Sequence, residues 1–162
     1  MFSIVLGNYP SFDPCDAKGN DGGVLFSNQC AIRLSFALRK SGVNFDAFPK
    51  ARKCWVHPNE QEVLAAKELA DWLQQKKVPF IIKTETVTGT EWRKKVVSRT
   101  GIICFEDYYT AGAGGGGDHI DMCDGSSLTG LGSCMRTRFG IVVPGLWSDF
   151  RKSKRICFFP FA

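Results

Sequence analysis

The chain has 162 residues and a mass of 17.9 kDa, the size of one ordinary domain, and 44% of its residues are hydrophobic. Such a chain buries roughly two-thirds of its unfolded surface, so it can form a core without a structural metal or disulfide staples, and the composition excludes a disordered tract or a collagen repeat. A net charge of +5 is weaker than the dense basic footprint of a dedicated nucleic-acid binder, and no apolar run approaches the ~20 residues that a membrane-spanning helix needs.

Residues 1–26 are dense in breakers, including Asn8, Pro10, Asp13, Pro14 and the run Lys18-Gly19-Asn20-Asp21-Gly22-Gly23, and read as a loop-rich entry segment. The opening Met-Phe-Ser-Ile-Val-Leu-Gly lacks the basic start and long apolar run of a secretory leader. Any export is therefore expected to take another route. A helix is expected over 29–41: Ser27 or Asn28 can cap it, and Ala31, Leu34, Ala37 and Leu38 form one apolar face. Arg39, Lys40 and then Gly42 suit its C-terminal end. Cys30 falls in the first turn.

A second helix is expected from Asn59 as N-cap, with Glu62 three residues on and the stripe Val63, Ala66, Leu69, Ala70, Leu73. His57, beside Pro58, reads as solvated or capping. Residues 78–82 suggest a strand at a sheet edge because of Pro79, and 90–97 a short third helix. Residues 102–105 suit a buried strand. The glycine run 112–117 reads as a flexible connection, without the Lys-Ser/Thr that a phosphate loop requires. His119-Ile120-Asp121-Met122-Cys123 alternates strictly before an Asp124-Gly125 turn, which is strand grammar. Its period of two puts His119, Asp121 and Cys123 on one face, and Ile120 and Met122 on the side expected to meet the core. Residues 140–143 offer another strand, the basic stretch 151–155 a solvated face, and 156–159 a last strand. Helices first and strands later give an α+β fold, with N-terminal helices packed on an antiparallel sheet. We read 1–162 as a single catalytic domain: entry segment 1–26, helical part 27–77 and sheet part 78–162.

A thiol attacks as its thiolate, which a helix N-terminus and a neighbouring imidazole both favour. Cys30 is so placed, and of the two histidines His119 is the better partner. The odd count of seven cysteines leaves at least one thiol outside any fully paired set. No CxxC pair supports zinc, and His119 with Cys123 on a strand is poorly spaced for joint ligation; no metal or cofactor is expected. Cys123 with Cys134 is the first choice of disulfide, beside the alternative that all cysteines stay reduced.

Asn28-Gln29-Cys30-Ala31-Ile32-Arg33-Leu34-Ser35 resembles the nucleophile segment of the type VI secretion amidase effectors of the Tae4 family. Gly101-Ile102-Ile103 and then His119-Ile120-Asp121-Met122 with Asp124-Gly125 are similar to that family's histidine strand, and Ile156-Cys157-Phe158-Phe159 to its terminal strand. The resemblance runs from about residue 22 to the end. It implies a papain-like fold of the NlpC/P60 type and a cysteine amidase, a D,L-endopeptidase cutting between γ-D-glutamate and meso-diaminopimelate in peptidoglycan stem peptides. Cys30 would attack and His119 would act as base and then acid. The resemblance also implies an antibacterial toxin, delivered by the type VI machinery to the periplasm of a rival and blocked in sibling cells by a cognate immunity protein. The family's orienting aspartate aligns near Gly130, which has no side chain to offer. Asp121 is then the candidate third member, reaching the ring only if the strand bends, while Asp124 reads first as turn chemistry. Two other classes fit the same residues: a non-catalytic cell-wall or protein-binding module, and a papain-like peptidase or acyltransferase acting on protein.

Overall fold

The computed structural model describes residues 1–56, 62–76, 78–108, 110–111, 115–125 and 150–162. The expectations at His57, Asn59, Gly130, Cys134 and residues 140–143 lie outside them. The chain forms two compact units, 3–78 together with Met1, and 79–162 together with Phe2.

The first unit holds the helices α1 (Phe2–Gly7), α2 (Cys30–Lys40) and α3 (Ala66–Gln75). α1 corrects the expectation of an all-loop entry. It is six residues long and buries only Val5, so no periodic stripe marks it in the sequence. α2 agrees with expectation to within a residue at each end. Its buried stripe is broad, taking in Ala31, Ile32, Leu34, Ser35, Ala37 and Leu38. It ends as the Arg39-Lys40-Ser41-Gly42 run suggests: Gly42 adopts φ +96°, its N–H donates to Arg39 O and the Val43 N–H to Leu38 O. That pair of bonds satisfies two otherwise open helix carbonyls.

α3 starts later than expected. Glu62 and Val63 lie before it, and the N-cap is Ala65 without a side-chain hydrogen bond. The backbone at 62–64 is taken by other partners. Cys54 N–H donates to Glu62 O, Leu64 N–H to Arg52 O, and Val63 N–H to Ser35 Oγ at 2.9 Å. Glu62 is not a cap; it is 1% exposed and holds Arg39 at 3.0 Å. Val63 keeps the helical spacing of apolar residues because it too is buried, so periodicity alone placed it in the wrong element. Its ladder partner is Lys53.

A disulfide joins Cys15 to Cys54 inside a cluster with Ala17 and Ile32, against which Phe26 and Leu64 pack. Cys123 is a free thiol, and Cys134, its expected partner, lies outside the described residues; the Cys15–Cys54 bond overturns the alternative that all cysteines stay reduced. Cys15 and Cys54 carry no spacing signal, since only the fold brings residues 39 apart together.

The second unit is built on an antiparallel sheet. Its strands are β1 (Glu85–Val87), β2 (Gly101–Glu106), β5 (His119–Cys123) and β6 (Arg155–Pro160), in the order β1-β6-β2-β5. The helix α4 (Trp92–Val96) falls within the expected 90–97. Residues 78–82 are not a strand. Ile81 makes one isolated bridge to Phe161 and 79–80 form a turn, while the neighbouring strand is β1, whose mixed Glu85-Thr86-Val87 sequence hides it. Around the glycine run, β3 (Thr110–Ala111) pairs with β4 (Gly115–Gly116), so part of the expected flexible connection is a small ladder. Gly125 forms a bend after the strand, and the rest of the expected Asp124-Gly125 turn lies outside the described residues. Gly125 has φ +82°, and a Cβ there would lie 2.5 Å from Ser98 N, so glycine is required twice over.

The sheet carries a core on the face of Ile103, Phe105, Ile156 and Phe158, covered by Trp92, Val96, Tyr108 and Phe150. The opposite face, with Ile102, Cys104, Ile120, Met122, Cys157 and Phe159, is equally buried. β2 and β5 are buried along their whole length. Helices followed by an antiparallel sheet make the α+β fold read from the order of elements.

Candidate active site

Cys30 is the first residue of α2, in the first unit, and its thiol is free and half-buried. Its N–H points to Asn28 Oδ1 at 3.3 Å. Neither Ser27 nor Asn28 is the N-cap that the sequence suggested: the N-cap is Gln29, without a side-chain cap hydrogen bond, and Asn28 stands one position before it. The first turn of a helix leaves its backbone N–H groups open, and Cys30 stands among them.

His119 opens β5, in the second unit, directly opposite Phe105 in the ladder. The hairpin feeding it is pinned by Asp107 N–H to Asp118 Oδ1 at 2.9 Å and by Tyr108 N–H to Gly117 O at 3.0 Å. The core was expected on the Ile120 and Met122 side, yet the His119 face is buried as well. His119 is 9% exposed, Asp121 1% and Cys123 2%. This face packs into the aromatic core: Phe150 stacks on the imidazole at 5.4 Å with an interplanar angle of 17°, and on Phe105 at 4.2 Å. A strand buried on both faces can still alternate in polarity when a polar pair is enclosed, and period-two reasoning cannot tell these cases apart.

The structure brings His119 and Asp121 together. Asp121 Oδ2 lies 3.7 Å from His119 Nε2, an ion-pair separation longer than a hydrogen bond. Oδ1 accepts the Met122 N–H at 2.8 Å, which fixes the carboxylate. The ladder with β2 is regular from Gly101↔Cys123 to Phe105↔His119. No bend of the strand is needed, because neighbours on one face lean toward each other at their side-chain tips. Asp124 lies past the strand end and is exposed.

Cys123 shares the His119 face but is no rival nucleophile. Burial, the largest cause, pushes its thiol up to about 11, so at neutral pH it stays protonated. Among the described residues no three His, Cys, Asp or Glu side chains gather as a metal-binding group. Two residues were not assigned from the sequence. Phe150 sits alone before the basic stretch with no periodic neighbours to flag it. Gln29 was legible only as part of a motif. The basic stretch itself is only partly a solvated face: Arg155 lies in β6 and pairs with Glu106, which is 5% exposed.

A thiol at a helix start, an enclosed imidazole–carboxylate pair on a strand and helices preceding an antiparallel sheet define an α+β protein equipped with acid–base groups. Residues 26–159 match the family described as type VI secretion system (T6SS) amidase effector protein 4, Tae4. The chain belongs to the Tae4 family, and thus to the type VI secretion amidase effectors. Among solved structures, that of the effector–immunity system Tae4/Tai4 from Salmonella typhimurium, in its selenomethionine variant, is similar with a TM-score of 0.61 at 15% identity, covering 99% of this chain and 96% of that one. The Tae4–Tai4 complex from Salmonella Typhimurium gives 0.59 at 16% identity over 99% and 92% of the two chains. The complex from Enterobacter cloacae gives 0.55 at 17% over 85% and 77%. At these identities the likeness is one of fold. No curated protein matches the chain.

Proposed function

We propose that this amidase effector is a peptidoglycan hydrolase of the papain-like, NlpC/P60 kind, a D,L-endopeptidase that cuts the γ-D-glutamyl–meso-diaminopimelate bond of stem peptides, and that residues 1–162 work as one catalytic domain. The observation that carries this reading is the family match over residues 26–159, a span that includes both Cys30 and His119.

In this mechanism His119 takes the Cys30 thiol proton, and the thiolate attacks the scissile carbonyl. With the Asp121 carboxylate on the Nε2 side, Nδ1 is the nitrogen that exchanges the proton. The tetrahedral intermediate collapses as the imidazolium protonates the departing amine, leaving a thioester on Cys30. Water, deprotonated by His119, then releases the acid and regenerates the thiol. Asp121 orients the ring and stabilises the imidazolium, the part an acid plays in a triad.

Delivery through the type VI machinery would bring the enzyme to the periplasm of a rival cell, and a cognate immunity protein would protect the producer. The solved relatives support that partner, since they are complexes of Tae4 with the immunity protein Tai4. The test is incubation of the purified protein with sacculi and mass spectrometry of the released muropeptides. New γ-D-glutamate carboxyl ends and free diaminopimelate amino ends are expected, and none with Cys30→Ala. Cleavage at another bond, or release only from a protein substrate such as casein, would overturn the reading.

A further inference from the structure

Gln29 stands immediately before Cys30, at the residue from which α2 starts. Glutamine is mostly a surface residue, yet this one is 7% exposed. Its Nε2 donates to Cys15 O at 2.9 Å and to Phe26 O at 2.8 Å. Both amide hydrogens are therefore committed to main-chain carbonyls, and the side chain has none left to offer a substrate oxygen. Its Oε1 is buried without a hydrogen-bond partner among the described residues, an unfavourable arrangement that selection for stability alone would not favour.

The two carbonyls belong to different segments. Cys15 is covalently tied to Cys54 and sits in the cluster with Ile32, the third residue of α2. Phe26 belongs to the stretch leading into α2 and meets Trp55 edge-on at 5.3 Å, one residue beyond the disulfide. The carboxamide thus joins the approach to α2 to the disulfide-bonded segment, one residue before the thiol.

We propose that Gln29 is a positioning residue for Cys30: its buried carboxamide, bonded to the Cys15 and Phe26 carbonyls, fixes the direction in which the thiol leaves the helix. The proposal rests on Cys30 as nucleophile. A small displacement of a reacting group is costly, so Gln29→Leu is expected to lower kcat about 10- to 100-fold with KM unchanged. It is also expected to displace the pH profile of Cys30 alkylation by iodoacetamide, read by peptide mass spectrometry. Gln29→Glu keeps the shape but regains a donor only when protonated, so its alkylation rate relative to wild type should recover as pH falls. An alkylation profile in Gln29→Leu that superimposes on wild type overturns the proposal, whatever happens to kcat. Should the leucine variant fail to fold, the isosteric glutamate variant decides: a relative rate that does not change with pH overturns it equally. Activity surviving in Cys30→Ala would instead remove the nucleophile assignment. The alkylation comparison is separate from that outcome, because it reads the thiol's setting directly.

Discussion

Cys30, Cys104, Cys123 and Cys157 differ in access, and so they should differ in reactivity. Cys30 is half-buried at a helix start, whereas Cys104, Cys123 and Cys157 are 0%, 2% and 1% exposed. Among these four, brief treatment of the native protein with iodoacetamide near neutral pH should label Cys30 first, as peptide mapping would show; prior labelling of Cys123 would contradict the placement. Asp121→Asn removes the charge beside Nε2 and should lower kcat about 10- to 100-fold with little change in KM. Wild-type kcat in that variant would take Asp121 out of the mechanism. At this scale the sequence was informative where a residue's chemistry is rare: two histidines and one thiol at a helix start narrowed the choice quickly. It put Asp121 on the His119 face and made it the candidate third member, but could not give its reach to the ring, which depends on side-chain lean that no pattern records. It was silent on Gln29, whose two carbonyl partners are distant or irregular in the chain.

At the scale of elements, Phe150 links a short turn to the sheet by stacking on Phe105 and His119. Phe150→Ala should destabilise the protein by about 3–5 kcal/mol, as large-to-small changes in aromatic cores do, measurable by urea unfolding. A loss within error would mean that the aromatic layer repacks. Glu85 in β1 holds Arg99 at 2.6 Å, and this bond, the largest cause, lowers the Glu85 carboxyl from its ordinary value. A carboxylate with a depressed folded value stabilises the protein fully above its unfolded value, and the contribution is lost as pH falls through the folded one. Arg99→Gln should therefore cost stability near pH 7, with an ion-pair share of no more than about 1 kcal/mol for so exposed a pair; that share should vanish below the carboxylate range, leaving the loss of the bond to Lys95 O and of the packing over Phe158. An unfolding difference that is constant with pH would rule this out. α2 and β5 were legible because their cues agree: periodicity and C-terminal glycine in one, alternation and a closing Asp-Gly in the other. α3 and β1 were misjudged for physical reasons. Val63 is apolar at helical spacing because it is buried in a bridge, and β1 is three residues of mixed polarity.

Across the whole molecule, the Cys15–Cys54 bond closes a loop of 39 residues. Loop-closure entropy gives it about 4 kcal/mol against the reduced unfolded chain. Unfolding in urea should therefore shift to lower denaturant in the presence of dithiothreitol, while an unmoved midpoint would show that the bond adds nothing to stability. The α+β class was readable from the order of elements, because the two long helices precede every strand of the sheet and only the short α4 falls among the strands. The disulfide was not, since its two cysteines meet only through the fold. The proposed mechanism requires Cys30 and His119 to act as one catalytic unit. The direct test is a double-mutant cycle on muropeptide release with Cys30→Ala, His119→Ala and the pair combined, each confirmed folded by circular dichroism. Residues that act together lose their effect together, so the double variant should be no slower than the slower single variant. Losses that multiply, with each single variant keeping substantial activity, would contradict the account.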